Sequence, residues 1–345
     1  MTTSLNLLQR LEQGPVICAE GYLFEIERRG YLQAGAFVPE VVLDHPHVVT
    51  QLHREFMHAG SDVIEAFTYY ANRDKLKIMG REDDLEEMNR TALTLAKEVA
   101  REGDALFAGN ICNTNIFVTD DAESKKIARA MFEEQVGWAM DAGVDFIIAE
   151  TISFCEEALL ALEVIRDAGA ISVVTLAVHR EGLRDDVTVT DACKRLKDAG
   201  ADVVGMNCIR GPNTMLPVLE EISKAVAGPL AALPVPYRTT DAEVNFQALT
   251  DSSCDCIPDR PFPTALDPFT CNRYEIAEFA KKALALGVKY QGVCCGAGPH
   301  HIRAMAEALG KNPPASRYSA DMSKHYAFGS DKSLVKENID FAEQM

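Results

Sequence analysis

Long apolar runs are missing from this 345-residue chain. None reaches the roughly 18 residues of a membrane-spanning helix, which argues against a protein built into a bilayer. Positive charge is also scarce. With 34 Lys and Arg against 52 Asp and Glu the formal net charge is −18, so nucleic-acid phosphates would be repelled and an anionic membrane surface is a poor partner. Low-complexity tracts are absent, and so is a glycine-rich nucleotide fingerprint behind an apolar strand. The first residues, Met1 to Asn6, lack the basic region and apolar core of a secretion signal. Ten cysteines without such a signal read as reduced thiols, and a cytoplasmic location is expected.

What is present is a recurring unit, a short apolar run followed by an amphipathic stretch. Candidate strands occupy residues 15–19, 62–67, 105–110, 144–150, 171–178, 201–207, 229–234 and 288–294. Candidate helices follow at 47–58, 85–102, 122–141, 155–167, 190–199, 214–227, 273–286 and 300–309. Asp44 before Pro46 suits a helix start, and Gly143, Gly169 and Gly200 suit helix ends. The strands are near-continuous apolar runs rather than clean alternations, as in a parallel sheet covered by helices. Eight such units without a nucleotide fingerprint predict an α/β fold, a single (β/α)8 TIM barrel over residues 1–310, in preference to a doubly wound open sheet. Residues 235–271, after the seventh strand, exceed an ordinary βα loop and read as a lid or a subunit contact. Residues 311–345 form a polar C-terminal extension, expected at a subunit contact in a homo-oligomer, a dimer or a tetramer.

In such a barrel the reactive groups gather at the C-terminal ends of the strands. Those ends carry Glu20 and Gly21, Phe67 to Tyr70, Asn110, Glu150, Asn207 with Cys208, and Cys294 with Cys295. The adjacent thiols of Gly292-Val293-Cys294-Cys295-Gly296 cannot comfortably bond each other. Both can ligate one metal if the backbone turns sharply behind them, which Gly296 permits. With Cys208 they make a three-thiolate set that leaves one position open, as a catalytic metal requires and a structural one does not. Zn2+ suits such soft ligands, with iron as the alternative. Plain core packing is the competing reading of cysteines at strand ends.

Glu150 closes a very apolar strand, where an unpaired acid would be expensive. Tyr22, Phe37, Tyr69 and Tyr70 stand near the mouth and could offer aromatic faces to a cation. Tyr69 and Tyr70 should alternate sides of an extended segment, with Tyr70 toward the pocket. His45, His47 and His53 read as a solvated helix surface, and His300 and His301 as packing or rim residues. Cys254-Asp255-Cys256 is a weaker metal candidate because no partner converges on it.

The most specific segments are Arg29-Gly30-Tyr31, Gln51-Leu52-His53-Arg54, Phe67-Thr68-Tyr69-Tyr70-Ala71, Asn207-Cys208 and the Cys294-Cys295 loop followed by Pro299-His300-His301. Through them the chain resembles the homocysteine S-methyltransferase family, and in particular its betaine-type branch, from about residue 15 to residue 323. The resemblance implies a barrel, a zinc ion held by Cys208, Cys294 and Cys295, and homocysteine as methyl acceptor. It also implies that Glu150 holds the homocysteine amino group, that backbone near Gly21 receives its carboxylate, and that Tyr70 lies beside the methyl donor. Three departures stand out. The family's Asp-Gly-Gly is Ala19-Glu20-Gly21 here, so Glu20 is a candidate replacement for the acid. A tryptophan near the donor becomes Phe37, and a tyrosine after the acid of the fourth strand becomes Thr151.

The expected reaction is metal-dependent methyl transfer from glycine betaine, or a related onium donor, to the thiolate of L-homocysteine, giving methionine and dimethylglycine. A sulfonium donor such as dimethylsulfoniopropionate or S-methylmethionine is the close alternative. Delivery of homocysteine to a corrinoid partner is a third reading, weakened by the absence of a cobalamin domain. A non-catalytic barrel that binds metal or betaine is the reading from another class.

Overall fold

The computed structural model describes residues 5–35, 37–253, 255–326, 328–331, 333 and 336–344, and its eight parallel strands close into one barrel. The strands are β1 Val16–Ala19, β2 Val63–Glu65, β3 Leu106–Cys112 and β4 Phe146–Ile152, then β5 Ser172–Leu176, β6 Val203–Asn207, β7 Leu230–Leu233 and β8 Val288–Val293. Closure is made by β1 on β8, in register from Val16 opposite Tyr290 to Ala19 opposite Val293. The (β/α)8 architecture expected from the repeating units is therefore the one observed.

Helices cover the outside of the sheet because each has one apolar stripe. Leu85–Glu102 buries Leu85, Met88, Ala92, Ala96 and Val99, a spacing of three or four that makes one face of a helix. Ala122–Ala142 stops at Gly143, whose φ of 75° is left-handed and lets its N–H reach the carbonyls of Ala139 and Met140. Pro46 opens its helix as expected, but the N-cap is His45 without a side-chain bond; Asp44 instead closes the short helix Val41–Asp44.

Inside the barrel the strands alternate. Val16 and Cys18, Leu106 and Ala108, Phe146 and Ile148 belong to one buried cluster with Val173, Val203 and Tyr290. Their neighbours Ile17, Ile147 and Ala149 belong to the cluster under the helices. The helix Leu7–Gln13 plugs the N-terminal end of the barrel with Leu7 and Leu11. At that same end Lys311 holds Asp62 at 2.8 and 2.9 Å and ties down the start of the C-terminal extension. The extension then runs through short turns and the helix Lys336–Ala342, leaving Tyr318, Met322, Tyr326 and Phe328 exposed. No described helix is long and apolar enough to cross a membrane.

Candidate metal centre and its two chambers

The two-residue period that builds the lower core also builds the site. Continuing inward-facing positions up the strands leads from Val16 and Cys18 to Glu20, from Leu106 and Ala108 to Asn110, and from Phe146 and Ile148 to Glu150. The same step leads from Val203 to Asn207 and from Tyr290 to Cys294. The barrel interior thus changes from hydrocarbon to acid, amide and thiol within one layer.

Cys208, Cys294 and Cys295 come together there, all three sulfurs lying within 4.8 Å of one another. Cys295 Sγ is 3.9 Å from Cys208 Sγ and 3.8 Å from Cys294 Sγ. A tetrahedron with Zn–S bonds of about 2.3 Å has edges of about 3.8 Å, so the set fits a small thiophilic cation. The electrostatics agree. Hydrogen bonds from the thiols of Cys294 and Cys295 hold Cys208 well below the ordinary thiol range, while Cys208 pushes Cys294 and Cys295 up. A bound cation would let all three sulfurs ionise together. The turn that presents them needs Gly296, at φ 94°, where a Cβ would lie 2.2 Å from Tyr237 Oη. Cys208 and Ile209 are themselves left-handed, at φ 57° and 55°, as are Thr151 at 59°, Tyr70 at 61° and Phe37 at 54°. Strain of about 1–3 kcal/mol per residue concentrated around one site marks it as functional.

Behind the sulfurs is an inner chamber of about 20 Å³ whose walls include Glu20, Glu65, Asn110 and Glu150. Asn110 Nδ2 donates to Glu150 Oε1 at 2.7 Å and to Glu65 Oε1. Asn207 Nδ2 donates to Glu150 Oε2 at 2.7 Å, to Thr151 Oγ1 at 2.8 Å and to Glu20 Oε2 at 3.3 Å. Burial pushes the Glu150 carboxyl up to about 7. Burial, and then the charge of Glu150, hold Glu20 and Glu65 well above the carboxylate range. Glu20 Oε1 is buried with no hydrogen-bond partner. No Lys, Arg or His lines the chamber among the described residues. Three acids facing one small space make a receptor for a cationic group that the chain does not supply.

In front of the sulfurs lies an outer cavity of about 380 Å³ with Cys208 and Cys295 on its surface. Its walls carry Phe37, Tyr69 and Tyr70, together with Phe246 and Phe262 from the loop at 235–271. That loop therefore contributes part of the cavity wall. Leu23, Tyr69 and Cys295 line both chambers and form the boundary between them.

Several expectations change. Tyr69 and Tyr70 do not take opposite sides: the segment bends at Tyr70, their ring centroids are 4.2 Å apart, and both line the outer cavity. Tyr22 is not at the mouth. It is buried against the inner chamber, stacked on Phe67, with its hydroxyl 3.1 Å from His53 Nδ1. His53 is correspondingly buried rather than solvated, and desolvation lowers it to about 3, whereas His45 and His47 are exposed. His301 is a packing residue bonded to Cys271 O at 3.0 Å. Gly21 caps the helix Tyr22–Arg28 and faces Ala297, where a Cβ would stand 2.3 Å from the carbonyl oxygen. Cys256 is disulfide-bonded, against the expectation of reduced thiols throughout; Cys254 lies outside the described residues. Glu65 was within reach of sequence reasoning, since it is an acid inside an apolar strand as Glu150 is. Lys75, His179 and Arg184 line the outer cavity from loops and a short helix, and no periodicity points to them.

Fold and site together define a (β/α)8 barrel with a three-thiol candidate metal centre at the C-terminal ends of its strands. The homocysteine S-methyltransferase family matches residues 18–309. An S-methylmethionine–homocysteine S-methyltransferase of Pongo abelii is 39% identical over 337 residues, covering 94% of this chain and 86% of the relative. A betaine–homocysteine S-methyltransferase of Xenopus tropicalis is 37% identical over 339 residues, covering 94% and 80%. The homocysteine methyltransferase MmuM from Escherichia coli, in its metallated form, superposes with a TM-score of 0.68 at 18% identity, over 86% of this chain and 98% of that one, a likeness of fold. The chain belongs to the homocysteine S-methyltransferase family.

Proposed function

We propose that the protein transfers a methyl group from glycine betaine to L-homocysteine, with Zn2+ held by Cys208, Cys294 and Cys295. The observation that carries this reading is the placement of the three sulfurs at the boundary between an acid-lined chamber and an aromatic-walled cavity. Homocysteine reaches the inner chamber with its ammonium end. Glu150 and Glu20 receive its ammonium, Asn110 and Asn207 orient Glu150, and the backbone at Gly21 takes the carboxylate. The metal, when bound, supplies the positive charge that keeps the substrate thiol ionised at neutral pH.

The donor lies in the outer cavity with its onium centre on Tyr69, Tyr70 and Phe37, aromatic contacts worth about 0.5–2 kcal/mol each. A sulfur lone pair forms the new S–C bond as the donor C–N bond breaks, and that pair stays on the nitrogen of dimethylglycine. No proton moves in this step, so the chain need offer no general base. Positioning across the Tyr69–Cys295 boundary does the work. Phe37 and Thr151, in place of larger polar aromatics, keep a sulfonium donor as the second reading.

The same proposal places the chain in the cytoplasm, supported by eight free cysteines among the described residues. It also makes the extension at 311–345 a subunit contact, supported by the exposed Tyr318, Met322, Tyr326 and Phe328. The test is methionine formation from homocysteine with glycine betaine, dimethylsulfoniopropionate and S-methylmethionine in parallel, before and after chelation, with metal measured on the same sample. Turnover with betaine that vanishes with zinc is expected. Metal-loaded protein that turns over no donor would return the chain to the non-catalytic reading.

A further inference from the structure

The charges around the sulfurs are segregated. The inner chamber carries only acids, whereas the outer cavity carries two cations in its wall, Lys75 and Arg184. Neither has a carboxylate partner among the described residues, although the protein holds 52 acidic residues and Arg73, on the same short helix as Lys75, is clamped by Glu134 at 2.5 Å. The Lys75 ammonium instead rests on the ring of Tyr70, 4.2 Å from its centroid, and the Arg184 guanidinium stands 5.9 Å from that of Phe154. Two other titratable groups share this wall. Glu157 is engaged through Oε1 with the N–H and hydroxyl of Thr114 at 2.8 and 2.6 Å, and His179 sits 3.3 Å from Ser153 Oγ. Burial raises the Glu157 carboxyl, and Arg184, which is exposed, lies close enough to pull it down without an ion-pair contact. Lys75 and Arg184 thus both keep their hydrogen-bonding capacity free toward an aromatic cavity whose base is a group of sulfurs.

We infer that Lys75 and Arg184 recognise the carboxylate of the methyl donor and thereby set its direction in the outer cavity. The inference rests on the methyltransferase reading above. An onium carboxylate is itself a dipole, and it fits in one direction only. Its cationic end turns to Tyr69, Tyr70 and the anionic sulfurs, and its carboxylate turns to the cationic wall. A donor with the onium but no carboxylate leaves Lys75 and Arg184 without a ligand carboxylate and adds a third cation beside them. Lys75 already occupies part of the Tyr70 face, so recruiting its ammonium to a carboxylate frees aromatic surface for the onium group.

The experiment uses the full-length, zinc-loaded protein and compares glycine betaine with choline, which keeps the trimethylammonium group and lacks the carboxylate. Wild type should strongly prefer betaine. Lys75→Met and Arg184→Met should each raise the KM for betaine about 10- to 100-fold, with homocysteine KM and zinc content at wild-type values. The preference over choline should shrink by the same factor, and Lys75→Arg should restore most of it. Wild type also offers a test that needs no variant: 3,3-dimethylbutanoate, the uncharged-centre analogue of betaine, should compete with the donor better than tetramethylammonium does. Betaine turnover with unchanged KM in both variants, or with tetramethylammonium the better competitor, overturns the inference and leaves the methyltransferase reading standing. Absence of turnover with every onium donor overturns both.

Discussion

The two ends of the barrel interior are made by the same strands, four residues apart, and they are opposites. At the N-terminal end Val16, Leu106, Phe146, Val203 and Tyr290 pack under the helix Leu7–Gln13 in regular backbone. At the C-terminal end Glu20, Asn110, Glu150, Asn207 and Cys294 face one another among left-handed residues. Of these, Glu20 and Asn110 keep buried polar atoms without partners. The lower end stabilises through apolar burial, at roughly 25 cal/mol per Å². The upper end costs free energy, because its acids are desolvated and its turns are strained. The lesson is that the lower layer holds the upper one in a geometry it would not adopt alone.

The comparison breaks most visibly at the sulfurs. Cys208→Ser, Cys294→Ser or Cys295→Ser should each abolish tight metal binding and lower turnover by more than the roughly 10- to 100-fold typical of disturbing a group behind a ligand. Metal analysis and turnover on the same preparation check this, with the melting temperature little altered. Full metal retention in all three variants would defeat the assignment.

At the other end, Phe146→Ala removes a fully buried ring and should destabilise by about 3–5 kcal/mol. Denaturant unfolding reads that loss. The KM values of molecules that remain folded should stay near those of the parent.

The smallest effect sharpens the contrast. Glu65 is held well above 4.5 in the folded protein by burial first and the charge of Glu150 second. A raised folded value means its contribution to stability is intact below the unfolded value and is lost as pH climbs from there through the folded value. Substrate-free protein should therefore lose stability as pH rises above the ordinary carboxylate range, and Glu65→Gln should flatten that loss, read as a smaller fall in Tm with pH. An identical pH dependence in variant and parent would show that Glu65 does not carry the strain assigned to it.

Much of this was readable along the chain. Eight apolar runs, each followed by an amphipathic helix, specify a barrel because every segment buries one face against the next layer, and those faces are written in local periodicity. Cys208, Cys294, Cys295 and Glu150 were legible because thiols and an acid at the ends of apolar strands violate the pattern around them. Tyr22 and His53 were misplaced because the same helical spacing serves a surface and a buried polar pair equally well. Tyr69 and Tyr70 were assigned opposite sides because no local rule announces a left-handed tyrosine.

By itself, then, the sequence determined the barrel and the strand ends at which Cys208, Cys294 and Cys295 stand, since these follow from period, length and residue type. Only the tertiary structure decided that Glu65 joins Glu20 and Glu150 in one chamber, that the loop at 235–271 lends Phe246 and Phe262 to the cavity wall, and that Lys75 and Arg184 share that wall. The reason is physical. Closing the barrel brings together residues more than a hundred positions apart, and a charge acts through the space between groups rather than along the chain that joins them.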